Sequence, residues 1–248
     1  METTRFWDEL PPRARLALRE AGAPVVIRPG AFLMREHTRA SQVFVLRAGK
    51  VKVWADRDGE IAILDVLGPG DLVGEVEAVD GGVRHANVEA LTRVEALVLP
   101  AARFRRVLDE HPGTVWAVAA VLAERLRDSN ELRAAHFPDA PERRLAGRLL
   151  RLVSRFGSPV KEERADAGVP VNDGVPVNGG MPGSGGVPDE GGVEIRVPLS
   201  QQDLGRWAGM GRRKVAQILA GEPVTVERGS IVVRSVDALH RLARRDAD

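Results

Sequence analysis

"QVFVLRAGKVKVWADRDGEIAILDVLGPGDLVGE", residues 42–75, decides what kind of fold this chain adopts. Its apolar residues alternate (Val43 and Val45, Val51 and Val53, Ile61 and Ile63), which is the period of half-buried strands whose side chains point to opposite faces in turn. Ala-Gly, Asp-Gly, Gly-Pro-Gly and Gly-Glu cut the runs apart. Asp58-Gly59 predicts a hairpin, because both residue types tolerate the positive φ of a tight turn. Followed outward from Val25 to Leu99, the pattern predicts a small barrel or sandwich of short strands.

The same stretch runs on into "LVGEVEAVDGGVRHANV", residues 72–88. Here a Gly-Glu pair (Gly74, Glu75) precedes Arg84 and His85, with a short apolar-acidic turn and a Gly-Gly between them. Residues alone leave two readings open, a pocket for a small phosphorylated ligand or the tight corner of an ordinary β-domain.

Beyond the strands the period changes. From His111-Pro112 to about His136 the chain is rich in alanine, leucine, arginine and glutamate at helical spacing. Val115, Val118, Leu122 and Leu132 share one seam of a seven-residue pattern, interrupted by Arg125 and Ser129. Such a seam pairs with its own copy or packs against its own barrel. Pro138 and Pro141 break this helix, and "ERRLAGRLLRLVSRFG" starts another. The expected division is 1–110, 111–137 and 138–248, the last containing a Gly/Pro-rich insertion at about 158–192. Glycines at 168, 174, 180, 186 and 192 give that insertion a six-residue repeat, which reads as a flexible, locally acidic spacer because proline opposes regular pairing.

The final segment predicts a strand ("VEIRV"), then a helix opened by Ser200 with Asp203 three residues on, a capping-box start. Gly209-Met210-Gly211 makes a tight turn into "RRKVAQILA", and "VTVERGSIVV" turns as a hairpin at Arg228-Gly229 before a short helix from Ser235. Helix, glycine turn, basic helix and hairpin are the outline of a winged helix-turn-helix. Leu204, Ala208, Val215 and Ile218 would hold the two helices together. Arg212, Arg213 and Lys214 would meet phosphates, and Gln217 would reach a base edge. Ser200 and Gln201, at the start of the first helix, complete the candidate DNA contacts. The competing reading is a helical hairpin with a solvated basic end.

Composition narrows the function classes. The 248 residues carry 36 Lys and Arg against 35 Asp and Glu, a net charge of +1, so any basic surface is local. Aromatics make up 4% with no tyrosine, which disfavours base-stacking platforms for single strands. The absence of cysteine excludes disulfides, zinc ribbons and thiolate nucleophiles. The five histidines include no His-x-His pair, and no Ser/His/Asp grouping is evident, so neither a metal cupin nor a hydrolase is expected. The N-terminal stretch lacks the apolar core of a signal peptide, and no run is long enough to span a bilayer; a cytoplasmic location is expected.

Taken together, "GKVKVW…DGEIAILDVLGPGDLVGE…VRHANV", "HPGTVWAVAAVLAERLRDSNEL" and "LSQQDLGRWAGMGRRKVAQIL…GSIVV" resemble the Crp/Fnr superfamily of bacterial transcription regulators. The resemblance covers nearly the whole chain apart from the insertion. It implies an α+β architecture: a cyclic-nucleotide-binding β-roll, a long dimerisation helix and a C-terminal winged helix-turn-helix. It also implies a homodimer on double-stranded DNA, contact with RNA polymerase, and a cyclic nucleotide such as cyclic AMP as effector. By motif match, Glu75 takes the ribose hydroxyl, Arg84 pairs with the cyclic phosphate, and backbone N–H groups of the turn complete the cradle. Gly74 and His85 flank it, and Arg125, Ser129 and Asn130 meet the base or its surroundings.

The sequence departs from the family pattern at several positions. His85 stands where a small residue is usual, Val83 where proline is frequent, and Glu77 places a carboxylate in the turn that should face the phosphate. The run Arg212-Arg213-Lys214 lacks the family's glutamate acceptor for cytosine, and Gly221 and Pro223 end the second helix early. Two further readings therefore stay open: a regulator with an empty nucleotide corner, and a nucleotide sensor whose winged helix no longer reads DNA.

Overall fold

The computed structural model describes residues 5–39, 41–134, 141–160 and 192–244. Two short helices, α1 (Phe6–Glu9) and α2 (Pro12–Ala21), lead into eight strands: β1 (Ala23–Ile27), β2 (Phe32–Met34), β3 (Gln42–Ala48), β4 (Val51–Arg57), β5 (Glu60–Leu67), β6 (Leu72–Val73), β7 (Asn87–Ala90) and β8 (Val94–Pro100). They form two four-stranded antiparallel sheets, ordered β1-β8-β3-β6 and β2-β7-β4-β5. The β4–β5 hairpin closes with Arg57 opposite Glu60. Asp58 and Gly59 both take positive φ (57° and 85°), the two-residue turn their residue types predict.

The sheets face one another across a core that includes Met34, Phe44, Leu46, Val51, Leu67, Val73 and Val88. On β3 the alternation carries more than the half-buried reading allows. Phe44 and Leu46 enter this core, while Val43 and Val45 enter a second one beneath helices. That second core joins Phe6, Leu18, Phe104 of α4 (Ala101–Glu110) and Ala117, Val118 and Val121 of α5 (Pro112–Ala134). Strand β3 is thus covered on both faces and buried from Val43 to Leu46.

Helix α5 splits the predicted seam. Val118 packs inward at 4% exposure, and Leu122 lies partly buried against the same cluster. Val115 faces outward together with Trp116 and Leu126, which are 77% and 61% exposed. The side chain of Leu132 and residues 135–140, including Pro138, lie outside the described set.

The C-terminal elements are α6 (Pro141–Phe156), β9 (Gly157–Pro159), β10 (Val193–Ile195), α7 (Gln201–Ala208), α8 (Arg212–Leu219), β11 (Val224–Val226), β12 (Ile231–Val233) and α9 (Val236–Arg244). Strand β9 was not legible as a strand: three exposed residues, one a proline, carry no alternation. It pairs with β10 in the register Pro159↔Val193, extended by Val160 N–H donating to Gly192 O at 2.8 Å. The repeat-bearing segment 161–191 lies outside the described residues, yet the chain leaves and returns at two adjacent, hydrogen-bonded strand ends.

A third core belongs to these C-terminal elements and to the β-roll at once. Leu145, Leu149 and Leu152 of α6, Leu204 and Trp207 of α7, Val215 of α8 and Leu239 of α9 pack with Ile63 and Val66 of β5. Trp207 Nε1 donates to Leu64 O at 3.2 Å across the same contact. No helix among the described residues is long and apolar enough to cross a membrane.

Candidate functional site

The corner after β6 is built around one backbone constraint. Gly74 adopts φ 84°, and a Cβ there would stand 2.5 Å from Arg84 Nη1 and 2.9 Å from Met34 Sδ. Only glycine satisfies both the left-handed conformation and the approach of the guanidinium. The predicted turn that follows is a short helix, α3 (Glu75–Asp80), ended by Gly81 in the left-handed region.

Glu75 begins α3 and is 1% exposed. Its Oε1 accepts from Arg125 Nη1 on α5, and Arg125 Nη2 donates to Leu72 O at 2.7 Å. Its Oε2 is buried with no partner among the described residues. A buried carboxylate oxygen without a donor costs free energy, so this atom favours any hydroxyl or amide group brought to it.

Arg84 is buried, and three of its five N–H groups are held by the chain itself. Nη1 donates to Gly74 O at 3.0 Å and to Glu77 Oε2 at 2.8 Å, and Nη2 donates to Gln42 O. Glu77, the carboxylate in the turn that should face the phosphate, does not point outward. Its carboxylate is 4% exposed and points into the corner, where Oε1 also accepts from His85 N–H at 3.2 Å and from His85 Nδ1. Burial pushes the Glu77 carboxyl up, but the hydrogen bonds from His85 and Arg84 outweigh it and hold the group at about 2. The hydrogen bond to Glu77 in turn raises His85 above its ordinary value. Because the carboxylate can only accept, Nδ1 carries the proton of this bond. The His85 ring is thus a partner of Glu77, and Val83 is exposed.

Of the residues expected at this site, Gly74, Glu75, Arg84, His85 and Arg125 come together. Ser129 lies one turn beyond Arg125 and is half-buried, whereas Asn130 is exposed; neither joins the corner's hydrogen bonds. Among the described residues no group of three or more His, Asp or Glu is placed to hold a metal.

The second candidate site is the α7–α8 pair. Ser200 Oγ accepts from Asp203 N at 3.1 Å and Ser200 N donates to Asp203 Oδ2 at 3.0 Å, the expected capping box, worth about 1 kcal/mol. The Ser200 hydroxyl is thus committed to the helix end, and Gln201 beside it is half-buried. Gly209 ends α7 at φ 67°, and α8 starts at Arg212. Leu204, Ala208, Val215 and Ile218 are buried between the helices, as their positions predict. Arg213 and Gln217 are exposed on the opposite face, and Arg212 is exposed at the start of the helix.

Lys214 departs from the expected cationic triplet. Its Nζ lies 2.9 Å from Glu142 Oε1 on α6. The ion pair lowers the Glu142 carboxyl.

Sequence reasoning missed a set of charges between α6 and the β-roll. Arg151 holds Asp65 of β5 and Asp128 of α5, and buried Arg155 holds Asp71. Arg148, pushed down to about 10 by burial, stacks over Trp207 with its Cζ 5.0 Å from the ring centroid. The available signal was spacing: positions 148, 151 and 155 lie on one face of α6, and a basic helix face that packs inward needs acidic or aromatic partners.

Residues 24–111 match the family model described as "Cyclic nucleotide-binding domain". The chain is 32% identical over 149 residues to a "CRP-like cAMP-activated global transcriptional regulator" of Mycobacterium tuberculosis, a match spanning 59% of this chain and 66% of that protein. A "Lysophospholipase nte1" of Aspergillus oryzae is 28% identical over 122 residues, but these cover 49% of this chain and only 8% of the enzyme. In fold, the chain is similar to FixK2 from Bradyrhizobium japonicum, with a TM-score of 0.66 at 18% identity over 91% of this chain and 99% of that one.

Proposed function

This chain belongs to the Crp/Fnr superfamily and carries a cyclic nucleotide-binding domain, and from that membership we propose that it is a homodimeric, DNA-binding transcriptional regulator whose β-roll corner takes the effector. The observation that carries the DNA reading is the two-sidedness of α8. Val215, Ile218 and Leu219 anchor it, while Arg213 and Gln217 are left on an exposed face and Arg212 is exposed at its start. The β11–β12 hairpin, with Gly229 at φ 91° in its turn, supplies the wing. Cations at the start of such a helix bind phosphates, and Gln217 one turn on is of the type that reads adenine. Contact with RNA polymerase is part of the same reading.

Dimerisation is assigned to α5, whose outward-facing Val115, Trp116 and Leu126 find no cover among the described residues. A second copy related by a two-fold axis would bury them and set two α8 helices at half-site spacing.

For the effector, the buried and unpartnered Glu75 Oε2 supports a hydroxyl-bearing ligand, such as the ribose of a cyclic nucleotide, with cyclic AMP the first to try. Arg125 ties that carboxylate to α5, and Asp128, three residues on, is tied by Arg151 to α6. A ligand that alters the Glu75–Arg125 pair would act on the placement of α6 and α8, provided its affinity differs between the two arrangements. The engagement of Arg84 by Glu77 favours a second reading, an effector-independent regulator held competent by its own ion pair.

Gel-shift titrations of the full chain on double-stranded DNA test the proposal. Affinity should fall steeply between about 50 and 200 mM salt. Binding with no salt dependence, or none at low salt from a dimeric and folded protein, would sink it.

A further inference from the structure

We propose that Glu77 is a built-in occupant of the corner's anion cradle, and that it is the residue setting whether this site accepts a cyclic phosphate at all. The inference rests on the effector reading above and deepens it.

Three donors that a phosphate would use are already spent on one carboxylate. Glu77 takes Arg84 Nη1 at 2.8 Å through Oε2, and His85 N–H and Nδ1 through Oε1. Carboxylate and phosphate oxygens ask for the same thing, charge-assisted N–H donors converging on a planar or tetrahedral anion. Both Glu77 and Arg84 are 4% exposed, so the pair is desolvated and a second anion cannot be added beside it. Such an anion must displace Glu77. Two other N–H groups of Arg84 are held by Gly74 O and Gln42 O, which fixes the guanidinium in place even when the carboxylate is removed.

Only half of the corner is filled in this way. Glu75 Oε2, at the start of the same short helix, keeps an open acceptor. The site therefore discriminates by charge at one end and by hydroxyl groups at the other. A cyclic nucleotide finds a buried, unpartnered acceptor at the hydroxyl half and competes with an intramolecular anion at the other.

Titration calorimetry and thermal unfolding of the full-length dimer test this, with cyclic AMP and inorganic phosphate as separate probes. The proteins are wild type, Glu77→Ala, Glu77→Gln and the double variant Glu77→Ala/Arg84→Ala. In Glu77→Ala, cyclic AMP affinity should rise about tenfold or more over wild type, and phosphate should raise the melting temperature. Both gains should vanish in the double variant. Glu77→Gln, isosteric and able to keep its acceptor, covers the case in which alanine fails to fold and should show a smaller gain in the same direction. Wild type binding cyclic AMP as tightly as the variants would overturn the proposal. So would folded variants that gain neither ligand. If phosphate stabilises Glu77→Ala through Arg84 while cyclic AMP binds none of the proteins, the cradle stands and the cyclic-nucleotide reading falls.

Discussion

Arg151 on α6 grips Asp65 on β5 with two nitrogens, Nε at 3.2 Å from Oδ1 and Nη2 at 2.9 Å from Oδ2. Its third nitrogen reaches Asp128 on α5. One side chain thus joins the β-roll, the long helix and the C-terminal elements. Against the opposing effect of burial, the Asp65 carboxyl is lowered first by Arg151, then by Arg155 and by Arg125, the partner of Glu75.

Removing Arg151 leaves two carboxylates facing each other in a largely buried place. Arg151→Met should destabilise the protein by about 3 kcal/mol, the range seen when one partner of a buried ion pair is removed. Asp128→Asn, which removes only one of the two partners, should cost less. Urea unfolding of the variants measures both. A near-zero effect of Arg151→Met would mean that the hydrophobic contact of Ile63 and Val66 alone seats α6.

The Glu77–His85 pair predicts a stability plateau with two edges. The Glu77 carboxyl is lowered from 4.5 to about 2, so its contribution is complete above about 4.5 and is lost as pH falls toward 2. That contribution is about 3 kcal/mol, from 1.36 kcal/mol per pH unit. His85 is raised above 6.5, so its part is complete below 6.5 and is lost as pH rises through its higher folded value. Unfolding at pH values from 2.5 to 9 should show the acid edge shrinking in Glu77→Gln and the alkaline edge disappearing in His85→Gln.

The neighbouring cations of α8 should differ on DNA. Arg212→Ala and Arg213→Ala should each weaken binding and lower the slope of log affinity against log salt by about 0.9 for every phosphate they cease to neutralise. Lys214→Ala should leave that slope nearly unchanged, because its ammonium is held by Glu142. Its cost should appear instead as a stability loss of about 0.5 kcal/mol, typical of a partly exposed pair. Three equal slope changes would show that Lys214 leaves Glu142 for phosphate.

Trp116 and Leu126 test the assembly. Leu126→Glu puts a charge into the face that α5 turns away from its own core, and sedimentation should then report a monomer with an unchanged far-ultraviolet spectrum. A variant that stays dimeric would move the interface elsewhere.

Replacing residues 161–191 by a two-residue Asn-Gly turn should leave the fold intact. The strand ends it joins are already paired, with Pro159 opposite Val193, so closure needs no rearrangement. A melting temperature within a few degrees of wild type is expected; a large drop would give the insertion a structural role.

Local chemistry made much of the architecture legible. Alternating valines announced the strands, Asp58-Gly59 the hairpin, Ser200 with Asp203 the start of α7, and Gly209 its end, because each depends on a few neighbouring residues and on backbone conformations that only certain side chains allow. Motif spacing likewise brought Glu75, Arg84 and Arg125 to attention before any coordinates. What remained hidden depends on direction and distance between segments remote in sequence. The inward turn of Glu77, the capture of Lys214 by Glu142, the partners of Arg151 and the inward packing of Val118 each require knowing which face of one element meets which face of another. A charge written in a sequence has a sign but no partner. The sequence by itself determined which groups this protein brings to its corner, and the tertiary structure alone decided that one of them, Glu77, is the anion already in place, since a buried carboxylate stays ionised only where donors such as His85 and Arg84 are held against it.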